Sequence, residues 1–139
     1  MKLSPLAPLI AFAAFALVTA SPAKAVDGTI TPAFQYPIPN IPGKTVTALL
    51  VDYPPGAKTA PHRHGSAFVM AYVVSGAIRS QVDDGPVTVF HAGQSWSEQP
   101  HAHHRVSENA SDTEPAKLLA IFITSTKSKG DLVTFDKKK

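Results

Sequence analysis

Residues 56–76 read GAKTAPHRHGSAFVMAYVVSG. This stretch places His62 and His64 one residue apart and follows them with an unbroken apolar run, 68–74. Alternate residues of a β-strand project from the same face, so the two imidazoles share a face while Arg63 points away. The pattern predicts a pair of histidine side chains positioned to meet one ion at the start of a strand-rich region.

Strand-like segments continue on both sides of this stretch, and none has the pattern of a long amphipathic helix. Turn-forming residues separate the segments at intervals of about 8 to 12 residues, which is typical of an all-β sandwich or barrel. The predicted strands are Thr45–Asp52, Phe68–Val74, Ala77–Val82, Val87–Phe90, Ser95–Glu98 and Lys117–Ile123. We therefore expect an all-β fold.

A single domain is expected for residues 26–139, because a chain of 139 residues with 44% hydrophobic residues is too short for two ordinary domains. Its core is predicted at about 45–124. From Val26 to Lys44 the chain is rich in proline, which indicates an extended arm along the body rather than a central strand. The lysine-rich end, about 125–139, is predicted to be a flexible, solvated tail.

The first 25 residues have the pattern of a secretory signal peptide. Lys2 precedes an apolar run from Leu6 to Val18, and Ala23-Lys24-Ala25 forms a small-x-small cleavage site, with a second possible cut after Ala20. A retained membrane anchor is disfavoured, because the run is shorter than the ~20 residues that a span needs. We expect the protein to be secreted or periplasmic and to leave the membrane after cleavage.

The charge distribution argues against a nucleic-acid partner. The chain has 13 Lys+Arg and 10 Asp+Glu, but five of the lysines lie in the last 13 residues. Residues 26–126 carry six basic and eight acidic side chains, a net charge of −2, with no basic and aromatic stripe of the kind that contacts nucleic acid. The absence of cysteine excludes disulfides, thiolate zinc sites and a cysteine nucleophile, so any metal must be held by nitrogen and oxygen.

All six histidines lie between His62 and His104. The second group, His101-Ala102-His103-His104, follows Pro100 and opens another predicted strand. If that strand pairs beside the first, one of its imidazoles completes a set of three nitrogen ligands that leaves coordination positions open for water, dioxygen or substrate. Because His103 and His104 point to opposite faces, strand parity admits either one as the third ligand.

From Gly56 to Asn109 the sequence resembles the cupin superfamily. The first cupin motif, Gly-x5-His-x-His-x4-Glu-x6-Gly, is matched by Gly56, His62, His64 and Gly76. The second motif is matched by Gly85, Gly93, Pro100, His104 and Asn109. The chain departs from the pattern at Val69, which takes the glutamate position, at His91 and His101, which replace a proline and a glycine, and in the spacing before Asn109.

The resemblance implies a small double-stranded β-helix, the cupin jelly-roll barrel. It also implies a divalent metal ion, such as Fe, Mn, Zn, Ni or Cu, on His62, His64 and His104, with His103 as the alternative third ligand. A site of three neutral imidazoles resembles that of three-His cupin dioxygenases, which suggests oxygenase-like action on a small acidic or enolisable molecule. The alternatives are a periplasmic module that binds a metal or small molecule without turnover, and a structural cupin that has lost its metal.

Several other residues are candidates for the metal site or the pocket beside it. Glu98 is a candidate acid or replacement ligand if it faces the barrel interior, and Gln81 is a candidate ligand contact unless it lies on the solvent face. An apolar pocket wall above the metal is predicted from the following residues: Phe68, Val69, Tyr72 and Trp96. Asn109 is expected to form a structural turn, and His91 and His101 to be solvated.

The apolar run 68–74 has no polar residue on either parity, which predicts burial on both faces. A single-walled barrel buries only one face of a strand. We therefore expect the other face to be covered by the proline-rich arm or by a second copy of the chain in a homodimer.

Overall fold

The computed structural model describes residues 26–137, which form eleven β-strands and no helix. The strands are β1 (Thr29–Pro37), β2 (Lys44–Tyr53), β3 (Lys58–Thr59), β4 (His62–Arg63), β5 (Phe68–Ser75), β6 (Ala77–Val82), β7 (Thr88–His91), β8 (Ser95–Glu98), β9 (His103–Asn109), β10 (Ala116–Ser125) and β11 (Thr134–Phe135). No segment of this range is a helix long and apolar enough to span a membrane. The predicted signal peptide lies outside the described residues.

The strands form two antiparallel sheets. One has the order β1-β2-β10-β5-β8, and the other has the order β11-β4-β9-β6-β7 with β3 paired to β9. Most neighbours in space are distant in sequence, as in the pairing of β10 with both β2 and β5. The arrangement confirms the all-β double-stranded β-helix expected from the sequence.

The interior of the barrel contains two groups of buried apolar side chains. The larger group includes Val51, Val73, Ile78 and Leu118. The smaller group, defined by Ala67, Val69, Ala120 and Phe122, lies beside the histidines, because the ring of Phe122 has its centroid 5.1 Å from that of His64. The core therefore extends to one wall of the histidine site.

Strand β5 differs from its prediction. Its inward residues, including Val69, Ala71 and Val73, are buried, whereas Tyr72 and Val74 on the other face are each 44% exposed. The expectation of burial on both faces is not met within one chain, because β5 has the barrel core on one side only. The outer face of this sheet also carries exposed Phe34 and Tyr36 from β1.

The predicted flexible tail contains a strand. Thr134 and Phe135 pair with Arg63 and His62 as β11, and the backbone N–H of Asp136 donates to the carbonyl oxygen of Pro61. The lysine-rich composition hid this contact, because a two-residue strand leaves no periodic pattern. Residues 131–136, the C-terminal strap, thus lie against the histidine-bearing strand β4.

The proline-rich segment contributes β1 at an edge of the five-stranded sheet. Its pairing with β2 shifts between Pro32 and Phe34, where the register is irregular. An edge strand tolerates proline because one side of its backbone needs no partner in the sheet.

The turn from β5 to β6 depends on Gly76. This residue has a φ of 69°, and a Cβ atom at this position would lie 2.5 Å from the carbonyl oxygen of Pro115. The backbone conformation and the close approach of the neighbouring chain both require glycine here.

Candidate metal centre

Three histidines converge at one end of the barrel. His62 on β4 and His104 on β9 are direct partners in the antiparallel pairing of these strands, and His64 follows β4 on the same face as His62. One nitrogen atom from each of the three rings lies within 4.8 Å of the others. All three side chains are buried, so the imidazoles face one another and not the solvent.

Backbone carbonyls orient two of the rings. The Nδ1 atom of His62 lies 2.7 Å from the carbonyl oxygen of Ala60, and Nδ1 of His64 lies 2.7 Å from the carbonyl oxygen of Leu132. A carbonyl oxygen only accepts, so Nδ1–H is the donor in both rings. Each Nε2 therefore carries a free lone pair, which is the form that binds a metal ion.

His104 is held through its other nitrogen. Its Nε2 lies 2.9 Å from the hydroxyl oxygen of the buried Ser80, whereas Nδ1 lies 3.2 Å from Oε1 of Glu98. The side chain of His104 is thus fixed by β6 on one side and faces β8 on the other.

Glu98 points into the barrel and is 2% exposed. Its Oε1 accepts a hydrogen bond of 3.2 Å from Nε1 of Trp96, and its Oε2 lies 3.5 Å from Nε2 of His64. Oε2 is buried and has no hydrogen-bond partner among the described residues. Of the two orientations open for Glu98 in the sequence, the structure has the inward one.

A narrow cavity of about 50 Å³ opens on these side chains. Its wall is otherwise mainly apolar, with Leu49, Val69, Leu118 and Phe122 from the five-stranded sheet and Val133 from the C-terminal strap. No Lys or Arg occurs among the described residues that line it. The cavity therefore offers metal-ligating groups and apolar surface but no cation to pair with an anionic ligand.

Comparison with known proteins agrees with the geometry. The Cupin domain family model matches residues 49–122, which include all three histidines and Glu98. The chain belongs to the cupin family. Among curated proteins, none matches the sequence significantly.

Solved structures share the fold of this cupin at low sequence identity. An uncharacterized conserved protein with a double-stranded β-helix domain from Klebsiella pneumoniae matches with a TM-score of 0.62 and 17% identity, over 85% of this chain and 90% of that one. Recombinant oxalate oxidase in complex with glycolate matches with a TM-score of 0.55 and 22% identity, over 65% and 45% of the two chains. A structure of DMSP lyases matches with a TM-score of 0.55 and 20% identity, over 66% and 44%. The cupin thus spans less than half the length of the oxalate oxidase and lyase chains.

Burial changes the protonation of the site. Desolvation lowers the pKa of His62 to about 4 and that of His104 to about 3, and it also lowers the pKa of His64. Desolvation raises the pKa of Glu98 to about 7. At neutral pH the three imidazoles are therefore neutral, as metal ligands must be.

The donor set fits a divalent ion. Three neutral imidazoles with oriented rings surround a space that also receives a buried carboxylate oxygen without a partner. Imidazole nitrogen suits Fe, Ni, Cu and Zn, and a nearby oxygen ligand extends the range to Mn. His62, His64 and His104 are the residues that would hold the ion.

The alternative third ligand, His103, points outward. Its Nε2 lies 2.9 Å from a carboxylate oxygen of Asp136 in the C-terminal strap, on the opposite face of β9 from His104. Gln81 also faces away from the cavity, and its side-chain amide donates to the carbonyl oxygen of Gly85 in the next turn. Ser80, not Gln81, is the buried residue at this point of β6, so the structure does not bring Gln81 to the cavity.

Of the four residues predicted as a pocket wall, the structure places Val69 at the cavity. Val69 lines the cavity, whereas Phe68 and Tyr72 lie on the outer face of β5 because strand parity separates them from Val69. Trp96 lies behind the site: its ring centroid is 6.0 Å from that of His104, and it packs on Phe90. The residues of β5 that face the barrel interior are therefore the odd-numbered ones, Val69, Ala71 and Val73.

The remaining candidates are structural. The Asn109 side-chain amide donates to the carbonyl oxygens of Tyr53, Pro54 and Glu114, which joins three chain segments. His101 adopts a φ of 67°, the left-handed conformation that favours the glycine it replaces, and is exposed like His91.

Sequence reasoning missed the groups that orient the three imidazoles, which are the Ser80 hydroxyl and the carbonyl oxygens of Ala60 and Leu132. Ser80 could not be identified from the sequence, because a small polar residue on a strand belongs to no recognisable motif. The Leu132 carbonyl could not be identified either, because a backbone acceptor does not depend on the type of side chain. The sequence does mark the C-terminal strap as a candidate for packing against the barrel. Its residues Leu132, Val133 and Phe135 are apolar, although they lie in a lysine-rich end.

Proposed function

We propose that this cupin holds a divalent transition metal ion on His62, His64 and His104 and uses it for oxygenase-like chemistry on a small enolisable molecule. The observation that carries the proposal is the convergence of three buried imidazole nitrogens within 4.8 Å at one wall of a cavity. A bound ion would supply Lewis-acid polarisation of a substrate oxygen and, for a redox-active metal, electron transfer with dioxygen.

The described part of the cavity wall has no Lys or Arg, and it contains the buried carboxyl of Glu98. A bound metal ion would therefore be the positive charge that an acidic substrate, or the enolate of a neutral one, meets there. The likeness in fold to oxalate oxidase bound to glycolate supports a small, oxygen-bearing ligand. About 50 Å³ admits only a few non-hydrogen atoms, so we place the enolisable group, and not the whole of a large substrate, in the cavity.

The chain's own residues would position the substrate and exclude water. Leu49, Val69 and Phe122 form an apolar wall beside the histidines, and Val133 of the C-terminal strap contributes to the same lining. Such a lining lowers the local dielectric and strengthens interactions of a ligand with the ion.

The test begins with metal analysis of protein purified without a histidine tag. Protein stripped with a chelator is then loaded with one metal at a time and tested for oxygen consumption with small neutral 1,3-dicarbonyls and hydroxyketones. We expect stoichiometric metal and turnover that is lost in His62→Ala but retained in His91→Ala, whose side chain is exposed outside the site. Protein that folds but binds no transition metal tightly would contradict the proposal.

A second candidate function is binding without turnover. The small cavity volume favours it, because a few water molecules or one very small ligand fill the space beside the histidines. In this case the loaded protein holds its metal, consumes no oxygen with any member of the panel, and is stabilised by the metal against thermal unfolding.

We further propose a homodimer through the outer face of the five-stranded sheet, where Phe34, Tyr36, Tyr72 and Val74 are exposed together. Several exposed apolar side chains on one face of a sheet are typical of an interface. In sedimentation experiments we expect a dimer for the wild type and a monomer for Tyr72→Lys. The matched control is Val87→Lys, at an exposed apolar residue outside this sheet.

Export with cleavage after Ala25 is proposed on the signal pattern alone. Intact-mass measurement of exported protein tests it, and a mass that includes residues 1–25 would contradict it.

A further inference from the structure

Val69 and Glu98 are directly opposed residues of neighbouring strands. They are partners in the antiparallel pairing of β5 with β8, and both side chains are buried inside the barrel. Position 69 is where the cupin pattern carries a glutamate, and here it carries valine. Side chains of directly opposed residues start only about 5 Å apart, so a carboxylate at either position reaches the same region of the interior.

The carboxyl of Glu98 is aimed at the histidines. Its Oε1 lies 3.2 Å from Nδ1 of His104, and its Oε2 lies 3.5 Å from Nε2 of His64. These are the nitrogens left free when His64 is held by Leu132 and His104 is held by Ser80. The carboxyl thus lies within 3.5 Å of two of the three rings, at the nitrogens that Leu132 and Ser80 do not contact.

Hydrogen bonding within the protein accounts for only one of the two carboxylate oxygens of Glu98. Oε1 accepts from Nε1 of Trp96, whereas Oε2 is fully buried and has no hydrogen-bond partner in the described part of the chain. A buried polar atom without a partner is costly and needs an explanation, of which an ion is one. The nearest basic groups are the imidazoles of His64 and His104, which are buried like the carboxyl itself.

We propose that Glu98 is a fourth, carboxylate ligand of the metal, displaced across the sheet from position 69 on β5 to position 98 on β8. The inference rests on the metal centre of the proposed function and adds a ligand to it. With Glu98 ionised, the charge of a bound divalent ion and its ligands falls from +2 to +1. The centre then has three nitrogen ligands and one oxygen ligand, a set suited to Fe or Mn as well as Zn.

The experiment measures metal affinity by competition with a chromophoric chelator, using Mn(II) and Co(II) as probes. Glu98→Gln keeps the size of the side chain and an oxygen that can accept from Trp96. We expect its affinity to fall at least 10-fold and the visible spectrum of the Co(II)-loaded protein to shift. Glu108→Gln, which changes a carboxylate paired with Arg79 outside the site, is the matched control and is expected to bind like the wild type.

A relocation variant makes the test specific. Glu98→Val should lose affinity as Glu98→Gln does, and the double variant Val69→Glu/Glu98→Val should regain most of it, since the carboxylate returns to the opposed position. Circular dichroism checks that each variant is folded. If Glu98→Gln does not fold, the comparison of Glu98→Val with the double variant decides.

The two proposals fail in different ways. Wild-type affinity in Glu98→Gln, together with loss of metal in His62→Ala, would overturn the carboxylate ligand and leave the three-His centre in place. A wild-type protein that binds neither probe ion would overturn both.

Discussion

The Nδ1 atom of His64 lies 2.7 Å from the carbonyl oxygen of Leu132, a residue 68 positions further along the chain. The same C-terminal strap places Val133 in the cavity wall and the ring of Phe135 5.9 Å from that of His62. A hydrogen bond to the second nitrogen fixes the orientation of a ligating imidazole and increases its basicity. The C-terminal strap is therefore part of the candidate metal centre.

Removal of the C-terminal strap should weaken metal binding without unfolding the barrel. A chain ending at Gly130 loses the acceptor for His64 and part of the cavity wall, and we expect its metal affinity to fall about 10- to 100-fold. Chelator competition measures the change. A chain ending at Lys137 keeps every strap contact and serves as the control. Equal affinities for the two truncated chains would show that the strap does not support the site.

Substitution of His103 and His104 should give opposite results, because they lie on opposite faces of β9. We expect His104→Ala to lower metal affinity by at least about 100-fold through loss of one nitrogen ligand. His103→Ala should bind metal like the wild type, since His103 pairs with Asp136 away from the cavity. Metal content after dialysis distinguishes the variants. Full metal in His104→Ala and none in His103→Ala would reverse the assignment.

Gly76→Ala should destabilise the fold strongly. Alanine would take a left-handed φ and would place its Cβ 2.5 Å from the carbonyl oxygen of Pro115, so we expect a loss of about 2 to 5 kcal/mol in the free energy of unfolding. Gly93→Ala is the matched control: its φ is 87°, but no atom lies within 4 Å of the new Cβ. It should cost only about 1 to 2 kcal/mol. Urea unfolding curves compare the two, and equal losses would contradict the steric argument.

The metal-free protein should lose stability as the pH falls below about 6.5. His62 and His104 have folded pKa values of about 4 and about 3, so they take up protons on unfolding, and their contribution declines between pH 6.5 and 4. Glu98, with its pKa raised to about 7, acts oppositely: its contribution is complete below about pH 4.5 and is lost as the pH rises through 7.

Between pH 5 and 6.5 the two histidines take up more protons on unfolding than Glu98 releases, so the free energy of unfolding should rise with pH by about 0.5 to 1.5 kcal/mol per unit. Urea unfolding at several pH values measures the slope, and His104→Ala should reduce it. A slope of zero or of opposite sign would show that the histidines are not buried in the neutral form.

The sequence predicted those features of the site and the fold that depend on neighbouring residues in the chain. The shared face of His62 and His64 follows from strand parity alone, and the turn at Gly76 follows from residue chemistry. The inward direction of Glu98 depends on how β8 pairs with β5, a contact between segments about thirty residues apart whose register no short pattern encodes. The same limit applies to the contact of His64 with Leu132.

The position of β10 between β2 and β5 has a consequence for the order in which the protein assembles. The five-stranded sheet stays open until residues 116–125 have been synthesised, because β10 joins its two halves. Folds dominated by such distant pairings fold slowly, on a scale of about milliseconds to seconds. During that interval His62 and His64 are already adjacent in the chain, whereas His104 joins them only when β9 pairs with β4. A metal ion at the proposed centre would therefore have all three histidine ligands only after β9 has paired with β4.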